Sequence, residues 1–287
     1  MLTKRMCATL FAAISLTCAV GLVALPGVAN AAASGSVPVP GGAMVRAAAA
    51  PGNSSIPTVS LNWSGYAATA AKKFTYVHST FVQPAVTCSG IKNQWTSNWV
   101  GLDGFNNSTV EQDGTFAHCG GPQSTKPVYK AWYEMFPAGS VNVFTVHAGD
   151  VMDTSVEYAG GTFTLTVSDL TTGKTASDSA TCATCQRASA EWIIERPALC
   201  NNALTKCFIT RLANFGTATM GGTQAQVAGG PVKGIGGFTN FPIDMVNPLA
   251  SGGFISLDTV SALSGKTFAA TWDRTGSTVP ITLGPAG

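Results

Sequence analysis

At 287 residues, with 16 Lys and Arg against 14 Asp and Glu, the chain carries charge at only 10% of its positions, well below the ~25% of an ordinary soluble domain. With Lys4, Arg5 and Arg46 of the leader set apart, 13 basic residues face 14 acidic ones. No basic patch remains to hold nucleic acid or an anionic membrane, and a surface this poor in titratable groups changes its charge little as pH falls.

Lys4 and Arg5 precede an apolar run from about Leu10 to Val28, closed by Ala29-Asn30-Ala31. This pattern predicts a secretory signal over residues 1–31 with an A-x-A cleavage site. Thr17, Gly21, Pro26 and Gly27 interrupt the run, and no later segment approaches the ~20 apolar residues of a membrane span. The expected product is secreted, extracellular and off the membrane. Residues 32–57, rich in Ala, Gly, Pro, Ser and Val with a single charge at Arg46, cannot bury enough apolar surface to offset ordering. They read as a pro-segment or linker. Residues 58–287 suit one all-β domain, large enough to build a core without a structural metal.

Within that domain strand signals dominate. Val141-Asn142-Val143-Phe144-Thr145-Val146 reads as a strand. Phe163, Leu165 and Val167 alternate with Thr162, Thr164 and Thr166, and Asp169 to Lys174 supplies a turn. Gly253 to Leu257 reads as a further strand, and no long helical stripe is present. Many short strands separated by turns predict an antiparallel sandwich or barrel. Cys7 and Cys18 leave with the signal; the other six fall into neighbouring pairs, Cys88 with Cys119, Cys182 with Cys185 and Cys200 with Cys207. An export signal implies an oxidising compartment, which favours this sequential pairing. The first bridge would close a loop containing Trp99, Asp103 and Gln112, worth roughly 3 to 4 kcal/mol by chain entropy. Cys182-Ala183-Thr184-Cys185 has redox-motif spacing, but no βαβ pattern surrounds it, so a structural staple is the preferred reading.

Alternation assigns faces. On the Glu191 strand, Glu191, Ile193 and Glu195 point one way, Trp192 and Ile194 the other. The two glutamates should then lie about 13 Å apart, too far for the carboxyl pair of a glycosidase, which needs ~5 to 9.5 Å. Gln112 shares a face with Val110 and Gly114, opposite Glu111 and Asp113.

Five segments carry a resemblance: Asn62-Trp63-Ser64-Gly65-Tyr66, Trp99-Val100-Gly101-Leu102-Asp103-Gly104, Val110-Glu111-Gln112-Asp113-Gly114, Ala131-Trp132-Tyr133-Glu134 and Ala190-Glu191-Trp192-Ile193-Ile194-Glu195. In this order and spacing the chain resembles the eqolisin family of glutamic peptidases, whose dyad is one Gln and one Glu. The resemblance implies a concanavalin- or lectin-like antiparallel β-sandwich of two bent sheets with its site in a groove. It also implies a monomeric acid endopeptidase acting on protein or peptide substrates, with no cofactor and no metal. It places the dyad at Gln112 and Glu191, with Glu195 the alternative carboxyl. Trp63, Trp99, Asp103, Trp132, Glu134 and Glu195 stand as substrate-binding or supporting residues.

The chemistry is coherent on its own terms. Peptide hydrolysis needs a base for water, a donor for the oxyanion and an acid for the leaving nitrogen. A carboxyl can serve as base and then acid, while a non-titrating amide holds water and donates N–H. Like charges on Asp103 and Glu134 are expected to raise the pKa of Glu191, whereas Lys130, where many relatives have Asp, would lower its neighbours.

Other hydrolase plans lack parts. His78, His118 and His147 come without a Gly-x-Ser-x-Gly elbow, no His-Glu-x-x-His occurs, and Asp113-Gly114-Thr115 has no second copy. A non-catalytic carbohydrate-binding sandwich, or a glycosidase of similar shape, remains the alternative. Asn53, Asn62, Asn106 and Asn107 match the glycosylation pattern.

Overall fold

The computed structural model describes residues 37–39, 44–45, 58–201 and 206–281. The predicted export signal, residues 1–31, and most of the predicted pro-segment lie outside the described residues. The described chain is almost entirely antiparallel β, as its alternation predicts, with no α-helix and a single 3-10 turn at Ile235–Gly237.

Two large sheets form the sandwich. One runs in the order Phe254–Ser256, Thr239–Pro248, Trp63–Thr69, Ser189–Glu195, Gln94–Leu102, Val110–Gly120, Lys126–Phe136, Val141–Thr145. The other runs Lys174–Ala180, Thr162–Asp169, Val151–Ala159, Phe74–Val82, Thr217–Val227, Phe268–Trp272, Asp258–Val260. A small sheet of Val37–Val39, Ala198–Cys200, Cys207–Ile209 and Val279–Ile281 lies apart. The strands predicted around Val141 and Gly253 prove to be the two edges of the first sheet.

Period-two patterning builds the core. Phe163, Leu165 and Val167 point inward and are fully buried, where they join Val77, Met152 and Val156 of their own sheet and Val100, Leu102, Trp192 and Ile194 of the facing one. On the outward side the alternating threonines meet serines of the next strand, Thr164 with Ser179 and Thr166 with Ser177. Burying a side chain of Leu or Phe size contributes about 1.5 to 3 kcal/mol, so this layer holds the sandwich shut. All three disulfides join the neighbours that spacing suggests.

The first sheet is unusual in having a second apolar layer, on its outer face: Trp63, Ala67, Trp95, Trp99, Phe105, Phe116, Trp132 and Ile193, with Met44 packed on it. Ile193 and Trp192 thus fall on opposite faces, as alternation requires. Close strand approach under these rings depends on glycine. Gly65 adopts φ +124°, and a Cβ there would stand 2.2 Å from the Trp192 carbonyl oxygen. Gly65→Ala is therefore expected to lower stability by about 2 kcal/mol or more, read as a fall in the urea midpoint at unchanged m-value; a midpoint within error of the parent would refute this.

Candidate active site

Directly opposed residues of antiparallel strands share a face. The pairing register sets Ala67, Glu191, Gly101, Gln112 and Glu134 side by side across five strands. The next row on the same face is Gly65, Ile193, Trp99, Gly114, Trp132, and the one after is Trp63, Glu195, Ser97, Phe116, Lys130. All the predicted site residues except Asp103 therefore stand on one face of one sheet. The register of the Glu191 strand is continuous, so its two glutamates keep the four-residue spacing that excludes a glycosidase pair.

Hydrogen bonds select among these groups. Gln112 Nε2 donates to Glu134 Oε2 at 2.8 Å. Glu195 is held at both oxygens, by Trp99 Nε1 at 2.8 Å and Asn62 Nδ2 at 3.2 Å. Trp99 is fixed in turn by an edge-on contact with Trp63, ring centroids 4.9 Å apart. Burial pushes the Glu134 carboxyl well above its usual range, and the nearby Glu195 charge pushes it further, against the lowering effect of the Gln112 hydrogen bond. Gln112, Glu134 and Glu195 thus form one electrostatic unit walled by Trp63, Trp99 and Trp132.

Over residues 61–262 the sequence matches the Peptidase A4 family. The chain belongs to that family, the eqolisins. It is a glutamic endopeptidase, and proteins or peptides are its substrates. Scytalido-glutamic peptidase, solved with a transition state analog inhibitor, superposes with a TM-score of 0.63 at 24% identity, over 74% of this chain and 98% of that one. SCP-B, an eqolisin solved with the tripeptide Ala-Ile-His, gives 0.61 at 23% identity and the same coverage. These likenesses establish the shared β-sandwich. Comparison with curated proteins gives no match.

In this eqolisin, Glu191 has different company from Glu195. It is fully buried, and the one donor near its carboxyl, the Ser189 hydroxyl, falls short of full hydrogen-bond geometry and only partly offsets the rise in its pKa. Burial raises its pKa, and the charges that add to the rise are Asp103 and Glu111. The expected crowding by Asp103 is thus present, while Glu134 couples to Glu195 instead. Asp103 itself serves the adjoining loop. It adopts φ +72° just past its strand and accepts the backbone N–H groups of Gln186, Arg187 and Ala188 at 2.6 to 2.7 Å, plus the Asn107 amide. Its part is to fasten the loop that leads into the Glu191 strand. Lys130 turns its ammonium to Thr145 Oγ1 at 2.8 Å, and the groups acting on Glu134 do not include it.

Asn62 is the site residue that motif reading passes over. Its amide donates to Glu195, and its carbonyl oxygen accepts from Ser60 Oγ and the Val45 N–H. At 2% exposure it is also a poor glycan acceptor once folded. The signal was its place next to Trp63 at the start of a strand, where a polar side chain can turn onto either face. Arg196, adjacent to Glu195, is fully buried and donates to the carbonyls of Leu61, Thr210, Val246 and Ser277 and to Asn247 Oδ1. It ties the Glu195 strand end to the Asn62 turn.

Buried carboxyls set the pH response of the whole protein. Burial raises Glu111 to about 9 and Asp258 to about 7, and raises Asp113, Glu134 and Glu191 as well. Folded-state values above the unfolded ones mean that the folded chain holds more protons, so stability is full below the unfolded value of about 4 and is lost as pH rises. The urea midpoint should fall between pH 4 and about 7, where Asp258 ionises, and Asp258→Asn should flatten part of that fall; a midpoint that rises with pH would contradict the assignment.

Proposed function

We propose that this eqolisin is a secreted acid endopeptidase in which Gln112 and Glu195 act together on one water. The observation that carries this reading is the pinning of Glu195 by Trp99 and Asn62 while its charge is felt at Glu134, the group that Gln112 bonds. Glu195 would take the proton from water as a carboxylate and return it to the leaving nitrogen as an acid. The Gln112 amide is engaged with Glu134, which fixes its plane and so the direction from which it approaches the developing oxyanion. Glu134 is in this reading a positioning residue for the amide.

One observation favours a second assignment. Glu191 lies in the same cross-strand row as Gln112, separated only by Gly101, which has no side chain. Its isolation from Glu134 weighs against it, as does its weaker hold by Ser189 beside the two donors that fix Glu195. The three disulfides and the apolar leader support secretion.

The predicted pro-segment contributes Met44 and Val45 to this face. Met44 packs on the outer tryptophan layer, and Val45 N–H donates to the same Asn62 that holds Glu195, at 2.8 Å. We read Met44 and Val45 as part of a cover that must leave before substrate enters.

Hydrolysis of a denatured protein between about pH 2 and 7 tests the dyad. Gln112→Ala should lose about 10² to 10³ in kcat, Glu195→Gln at least as much, and Glu191→Gln less than about tenfold. An inactive Glu191→Gln beside an active Glu195→Gln would transfer the role to Glu191, and full activity in Gln112→Ala would end the amide mechanism.

A further inference from the structure

The loop between Ala180 and Ser189 carries Cys182 and Cys185, joined as a disulfide. Both sulfurs and a Glu111 carboxylate oxygen lie within 4.8 Å of one another. Glu111 is fully buried, and the polar side chains nearest its carboxyl, Asp103 and Thr109, fall short of full hydrogen-bond geometry. A buried acid so weakly partnered is costly to keep beside an inert staple. It stands next to Gln112 in sequence but on the opposite face, so this site lies across the sheet from the hydrolytic groove.

The pair is chemically asymmetric. Cys182 Sγ accepts the Cys185 backbone N–H at 3.1 Å, and the Thr184 hydroxyl lies 3.6 Å away as a second donor. Such donors stabilise a thiolate at Cys182 and make it the better leaving group. The acid stands by to supply the proton that the other sulfur needs. Both cysteines are only half-buried, on an otherwise exposed loop, so a small thiol can reach them.

We propose that Cys182 and Cys185 form a thiol–disulfide exchange site that takes a dithiol as co-substrate, with Glu111 as its buried proton donor. A dithiol thiolate attacks Cys185 Sγ, the disulfide bond breaks, and its electron pair leaves on Cys182 as a thiolate held by the Cys185 N–H and Thr184 O–H. The second thiol of the dithiol then attacks the mixed disulfide, closing a cyclic disulfide and expelling Cys185 as a thiolate. Glu111 hands that thiolate its proton and is reprotonated by the proton the second thiol sheds, while Cys182 takes up the first thiol's proton. Two electrons pass from the dithiol to the protein.

The groups facing Glu111 are consistent with its role. Burial, then Asp103 at the end of the neighbouring strand, hold it protonated up to about pH 9, while Thr109 on its own strand's approach and Arg187 on the cysteine loop pull the other way. Glu191, one strand further, senses the Glu111 charge in return.

The test is reduction of the intact protein by dithiothreitol from pH 5 to 10, with opened thiols alkylated and located by mass spectrometry. The reference is an oxidised linear peptide of sequence Cys-Ala-Thr-Cys. The Cys182 to Cys185 bond should open before the other two and about tenfold or more faster than the peptide, an advantage that fades above about pH 9, where Glu111 has lost its proton. Glu111→Gln should abolish the advantage and its pH dependence, and Thr184→Ala, at an exposed position, should reduce it. Thermal melting of each variant confirms folding; if Glu111→Gln does not fold, the comparison with the peptide and Thr184→Ala decide. Opening no faster than the peptide, or a folded Glu111→Gln with the parent's rate and profile, overturns the proposal. Peptide hydrolysis measured on the same samples reports the other face independently.

Discussion

Unbroken antiparallel register across four central strands is the constraint on which the rest depends. A slip of one residue on the strand Ser189–Glu195 would turn both glutamates into the core and Trp192 out of it. The register is secured from both sides, because each face of this sheet is apolar: one face packs on the second sheet, the other carries its own tryptophan layer. A polar cluster set into a doubly buried sheet can hold few charges, and those it holds must be tied. That is why Gln112, Glu134, Glu195 and Asn62 bond to one another or to an indole rather than to solvent.

The same burial determines which acids can ionise. Removing a carboxyl from water disfavours its charged form, and this fold does so repeatedly. Where donors are supplied, as for Asp103 with three backbone N–H groups, the carboxyl becomes a structural anchor. Where donors are few and weak, as for Glu111 and Glu191, burial prevails and raises the pKa. The acid activity proposed above and the fall in stability expected as pH rises then have a common origin in this burial.

Much of this was legible in the sequence because it follows from period two. The alternating threonines and apolar residues of Thr162–Asp169, the opposed faces of Trp192 and Ile193, and the grouping of Gln112 with Glu134 and three tryptophans all follow from alternation and short motifs. The order of the strands was not legible, since it depends on pairing between segments far apart in the chain. Nor was the difference between Glu191 and Glu195: both occupy one face, and only the Trp99 indole and the Asn62 amide, contributed by other strands, distinguish them. The way Asp103 supports the neighbouring loop was not legible for a related reason. One residue past the strand end its backbone turns to positive φ, where alternation stops applying and a side chain serves the loop.

Arg196 has a consequence for biosynthesis. Its guanidinium takes acceptors from Leu61 near the front of the domain and from Ser277 near the end of the described chain, and a buried cation without such acceptors is expensive. The strand end that carries Glu195 is thus completed only when residues from both extremities have met. A nascent polypeptide from which Ser277 has yet to emerge therefore lacks part of the clamp beneath Glu195.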